Sequence, residues 1–138
     1  MRDSLRPLLL LVVVLLSLAG CRAVIPNRAP VGEPFPPVRG TSLSGVDTTL
    51  PEALKGEVAV LLVGYTRRSQ FDIDRWLLGL AQLKTPVRLL EVPTAGGLFT
   101  TLFGERLDES MRDGIPEEDW PSVVTVYGEA STVTGFLG

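Results

Sequence analysis

Val58-Ala59-Val60-Leu61-Leu62-Val63 runs into Gly64-Tyr65-Thr66-Arg67-Arg68-Ser69-Gln70, and then into a helical pattern from Phe71 to Lys84. Six consecutive apolar residues are too few for a globular helix and predict a strand buried on both faces. Gly64 breaks the strand. Ser69 can serve as N-cap of the following helix, with Asp72 as its capping-box partner. Asp72 and Asp74 then fall in the first turn, where the helix dipole favours negative charge. Ile73, Trp76, Leu77, Leu80 and Ala81 share one helical face. The predicted unit is a central parallel strand that delivers a polar loop to a helix N-terminus, the place where many α/β folds keep their chemistry.

Composition narrows what that loop can do. The 138 residues allow one small domain. There is no histidine and a single cysteine, Cys21. Zinc prefers Cys and His ligands, so a zinc site would have to be built almost wholly from carboxylates, and none is predicted. A Ser-His or Cys-His catalytic pair and an intrachain disulfide are excluded. Taking away residues 1–20 removes Arg2, Arg6 and Asp3. The 13 basic and 16 acidic residues become 11 and 15, a net charge of −4. Nucleic-acid binding calls for a basic face, so no nucleic-acid partner is predicted.

The N-terminus carries its own signal. Arg2 and Arg6 precede the apolar run Leu8 to Leu16. That run is shorter than the ~20 residues a membrane-spanning helix needs. It has the layout of a secretory signal peptide. Leu18-Ala19-Gly20-Cys21 follows, and it resembles the lipobox of bacterial lipoproteins. The resemblance implies cleavage before Cys21, a diacylglycerol on its thiol, and a protein lipid-anchored in the bacterial cell envelope and facing the periplasm. An ordinary signal peptide with a chance cysteine, or a short membrane anchor, is the alternative. Each buried methylene adds about 0.8 kcal/mol, so two or more acyl chains anchor stably. Arg22 stands where an Asp would be an inner-membrane retention signal, which favours the outer membrane in a Gram-negative cell.

Residues 1–20 are thus read as lipoprotein signal peptide, 21–31 as a Pro-containing linker and 32–138 as the folded domain. Pro26, Pro30, Pro34, Pro36 and Pro37 disfavour helix. This segment is either an extended spacer off the lipid surface or a tail with no spacing role.

Within the domain, Gly32-Glu33-Pro34-Phe35-Pro36 is followed by a Gly-containing hairpin, Gly40-Thr41-Ser42-Leu43-Ser44-Gly45. Leu50-Pro51-Glu52-Ala53-Leu54-Lys55-Gly56-Glu57 then leads into the central strand. This order resembles the entrance of thioredoxin-like domains of the peroxiredoxin and membrane-anchored thioredoxin type, over residues 32 to about 127. The resemblance implies a three-layer α/β/α sandwich. Val87–Val92 is predicted as a second strand, ended by Pro93 and near the sheet edge because of Arg88. Thr94 can cap a second helix, with Phe99, Phe103, Leu107 and Met111 as its core stripe and Gly114 as its C-cap. Ile115 to Pro121 is an acidic loop, either solvated or a cation site. Val123–Tyr127 is a third strand. A thioredoxin-like fold continues with a β-hairpin and a closing helix. Neither is predicted after Tyr127, so the domain is expected to be incomplete at its C-terminus, with an apolar edge exposed.

Thioredoxin-like oxidoreductases carry Cys-x-x-Cys, and peroxiredoxins their peroxidatic cysteine, at the strand-to-helix turn. Tyr65-Thr66-Arg67-Arg68-Ser69-Gln70 has no cysteine. A lipidated Cys21 is no nucleophile. No catalytic residue and no cofactor are predicted. What remains is a helix N-terminus with two arginines, which suits an anion. Arg67, Arg68, Ser69 and Gln70 are candidates for binding a carboxylate, a phosphate or an acidic segment of a protein partner. Alternatively, Arg67 and Arg68 are solvated or pair with Asp72 and Asp74. The strand, the Arg-Ser-Gln loop and the Trp-bearing helix also resemble mitochondrial ATP synthase assembly factors with thioredoxin-like domains, which would imply protein assembly. The expected function is a lipid-anchored, non-catalytic binding or assembly module. The alternative is a redox-enzyme relative using a thiol or cofactor supplied in trans.

Overall fold

A computed structural model describes residues 26–138. Cys21, the predicted signal peptide of residues 1–20 and the first part of the predicted linker lie outside the described residues. The chain is mixed α/β. Its strands are β1 (Val38–Ser42), β2 (Asp47–Leu50), β3 (Ala59–Gly64), β4 (Arg88–Pro93) and the short β5 (Val124–Thr125). The α-helices are α1 (Ser69–Gln82), α2 (Leu98–Arg112) and α3 (Ala130–Leu137), with 3-10 turns at Glu52–Leu54 and Glu117–Ser122.

The strands form two small sheets. β1 pairs antiparallel with β2, Val38 facing Leu50, and antiparallel with β5, Thr41 facing Thr125. β3 pairs parallel with β4, Leu61 facing Leu90. Parallel bridges Glu91–Val123 and Thr94–Val126 join the two sheets, so the lateral order is β2-β1-β5-β4-β3. Gly40 lets β1 close on β5. A Cβ there would stand 2.6 Å from the Thr125 carbonyl oxygen and 2.7 Å from Val124 Cγ1.

Strand alternation sorts the side chains into two faces. Leu90 and Val92 join Val38, Leu50, Leu54, Val124, Val126 and Val133 in the core, with Ala59, Leu61 and Val63 packed against them. α3 closes this face. Val133 is fully buried, and Phe136 meets Phe35 edge-on at 5.5 Å. Arg28 ties the entering chain to the same helix, its backbone N–H donating to the Leu137 carbonyl at 3.1 Å. Leu89, Glu91 and Pro93 lie on the opposite face, under α1 and α2.

Four sequence expectations need correction. A helix does follow Tyr127: Thr132, Val133 and Thr134 have modest helix propensity, but packing of Val133 and Leu137 on the core outweighs it. β4 is interior and β3 is the edge strand among the described residues. Arg88 sits at the start of β4, where its guanidinium reaches Glu57 at 3.3 Å, so it carries no information about lateral position. β3 is half-buried rather than buried on both faces. Finally, neither predicted cap caps its helix. Ser69 is the first residue of α1, and its hydroxyl turns back to the Thr66 carbonyl. Thr94 is buried, donating to the Val92 carbonyl at 3.0 Å, and Gly97 precedes α2 instead. Val58 is 74% exposed and Trp76 63%.

Candidate functional site

β3 ends at Gly64, where a Cβ would press on Ile73 Cδ1 and Ser69 Oγ, both 3.0 Å away. The close approach of α1 to the strand end therefore rests on glycine. The loop that follows is folded by Ser69, whose oxygen also accepts from the Thr66 N–H at 3.3 Å. This turn pushes Arg67 and Arg68 outward. Both are exposed, and neither makes an ion pair with any described residue. Their proposed acidic partners are engaged elsewhere: Asp72 with Arg75 at 3.5 Å, Asp74 with the Gln70 amide at 2.9 Å. Of the two arrangements open to the arginines, pairing is excluded within the described residues.

Behind the loop runs an open groove over β4, walled by α1 and α2. It consists of two adjoining cavities of about 660 and 860 Å³ that share Gln70, Asp74, Pro93, Ser110 and Met111. Leu107 and Met111 of the predicted core stripe line it, half-buried, and Phe103 is partly exposed. The stripe thus makes a groove wall as much as a core. Two polar ties hold α2. The Tyr127 hydroxyl donates to Asp108 Oδ1 at 2.6 Å, and Arg112 Nε donates to the Leu43 carbonyl at 2.7 Å.

The groove is electrically polarised. Arg67 lines its mouth beside Tyr65 and Phe71, and Arg68 does not line it. Glu91 lies on its floor, with Asp119 at the same end and Asp74 where the two cavities meet. Burial pushes the Glu91 carboxyl above its ordinary value of 4.5. The nearby Asp74 and Asp119 add to this, and a 3.4 Å hydrogen bond from the Gln70 amide opposes it. Burial also raises the Tyr65 phenol, and burial with the Asp108 hydrogen bond raises that of Tyr127 strongly.

Ser69 and Gln70 line the mouth together with Arg67, so the structure gathers three of the four sequence candidates on the groove and turns Arg68 away. The Ser69 hydroxyl donates to the Thr66 carbonyl and has no carboxylate partner among the described residues. No group of three metal-ligating side chains occurs among the described residues, and the carboxylates of the acidic loop are exposed on a 3-10 turn. Sequence reading missed Glu91. Its signal was a lone carboxylate between Leu90 and Val92, inside an otherwise apolar strand.

No protein-family model, no curated protein and no solved structure matches the chain.

Proposed function

We propose that this chain is a lipid-anchored, thioredoxin-like protein of the bacterial envelope that holds a segment of a protein partner and performs no thiol chemistry. The observation that carries the reading is the loop from Tyr65 to Gln70. It occupies the strand-to-helix position where thioredoxin-like enzymes place cysteine. It presents Arg67, unpaired among the described residues, at the mouth of the groove instead. The strand order and the helices on both sides of β4 are compatible with a thioredoxin-like sheet. The lipobox resemblance of Leu18-Ala19-Gly20-Cys21 supports the anchor.

An extended partner segment with a carboxylate suits this groove. The carboxylate meets Arg67 and the N-terminus of α1, apolar side chains lie along Leu107, Met111 and Leu77, and a cation can approach Glu91. The redox alternative is separated by assay. The full chain is incubated with insulin disulfide, or with peroxide and a dithiol donor. The proposal expects turnover no faster than the donor alone. Catalytic reduction above that background contradicts it.

A further inference from the structure

The edge of β3, unpaired among the described residues, offers a second surface, on the flank of α1 away from the groove. Arg88 N donates to the Val58 carbonyl at 3.1 Å and Thr94 N to the Gly64 carbonyl at 2.8 Å. In a parallel pair, alternate residues bond to the neighbouring strand. Val58, Val60, Leu62 and Gly64 therefore bond toward β4. The N–H and C=O groups of Ala59, Leu61 and Val63 point away from it, with no strand beside them among the described residues. No charge, proline or bulge interrupts Ala59–Gly64, the devices that usually blunt an edge.

The helix above adds apolar surface on the same side. At 100° per residue, Ile73 faces the sheet, and Gln70, Asp74, Leu77 and Ala81 turn to one flank, where they line the groove. Trp76 and Leu83 turn to the other flank, over the β3 edge. They are 63% and 79% exposed, and Val58 at the strand start is 74% exposed.

We propose that this edge pairs with the β3 edge of a second copy of the chain, antiparallel about a two-fold axis. The strand is self-complementary in this arrangement. With Leu61 on the axis, Ala59 faces Val63 of the other copy, and every outward N–H and C=O of the three residues finds a partner. The two α1 helices then lie side by side on one face of a continuous sheet, and their Trp76–Leu83 flanks cover each other. Charge agrees with the direction. Antiparallel pairing brings the Glu57 end of each strand to the Arg68 end of the other. Glu57 is half-exposed beside Arg88, and Arg68 is unpaired among the described residues. Such an isologous contact closes on itself and leaves the groove open.

The test is the mass of the full chain in detergent, by sedimentation equilibrium across protein concentration. A dimer is expected. Ala59→Pro removes one outward N–H without touching the β4 ladder, and Trp76→Glu charges the exposed flank. Each should halve the mass and leave the far-ultraviolet dichroism unchanged. Leu78→Glu, on the groove side of α1, should leave the dimer intact. Glu57→Arg should raise the dissociation constant at least tenfold, and adding Arg68→Glu should restore it. A monomer at every concentration overturns the proposal. So does a dimer indifferent to Trp76→Glu and to the charge exchange.

Discussion

The Tyr127 hydroxyl donates a 2.6 Å hydrogen bond to Asp108 Oδ1, joining the segment just after β5 to the middle of α2. The acceptor is a carboxylate, and none of the α2 residues whose side chains are described belongs to the core cluster. The tie therefore matters more to α2 than one hydrogen bond would to a well-packed helix. Tyr127→Phe keeps the ring and removes the donor. It should cost about 1.5 kcal/mol, the low end for a bond to a charged group. Urea unfolding at neutral pH measures this. An unchanged midpoint would mean that α2 is held by its other contacts.

Glu91 gives the stability a pH dependence with a defined sign. Its carboxyl is raised in the folded state by burial and by Asp74 and Asp119. The folded chain therefore holds the proton more tightly than the unfolded chain. This contribution is fully present below the ordinary value of 4.5 and is lost as pH rises through the raised folded value. Glu91→Gln keeps the shape and removes the titration. The variant should be more stable than the parent at neutral pH, with the difference shrinking toward pH 4. Thermal melts of both proteins across that range check it. A neutral-pH loss of stability in Glu91→Gln would show that the charged form is the one the groove favours.

Two links of the fold were legible in the chain and others were not. The Val58–Val63 run and the apolar face of Phe71–Lys84 specify a strand and a helix by local pattern alone, and both formed within a residue or two. Lateral position is a different matter. Which strand lies at the edge depends on residues far away in sequence, and Arg88 at a strand start misled because a terminal side chain reaches solvent wherever its strand lies. α3 was missed because Thr132, Val133 and Thr134 argue locally against helix, while the burial that overrides them is tertiary. In the site, the exposed Arg67 and Arg68 were legible from the loop. The acidic end of the groove was not, since Glu91, Asp74 and Asp119 come from three separate segments.

Cys21 carries the membrane half of the proposal. Cys21→Ser should abolish acylation and leave the uncleaved precursor, heavier by residues 1–20. Mass spectrometry of membrane-extracted protein reads both changes. An unmodified Cys21 thiol in the wild-type membrane fraction would contradict the anchor.

The most direct test of the central claim places a photo-reactive benzoylphenylalanine at Leu107, inside the groove, or at Val46, in the exposed turn between β1 and β2, in the full chain expressed in a bacterial envelope. Illumination should give one discrete protein adduct from position 107 and none from position 46. The variant Arg67→Ala should lose that adduct. Its melting temperature should hardly move, because an exposed arginine with no ion pair among the described residues contributes only about 0–1 kcal/mol. The contradicting result is no adduct at position 107, or one that persists unchanged in Arg67→Ala.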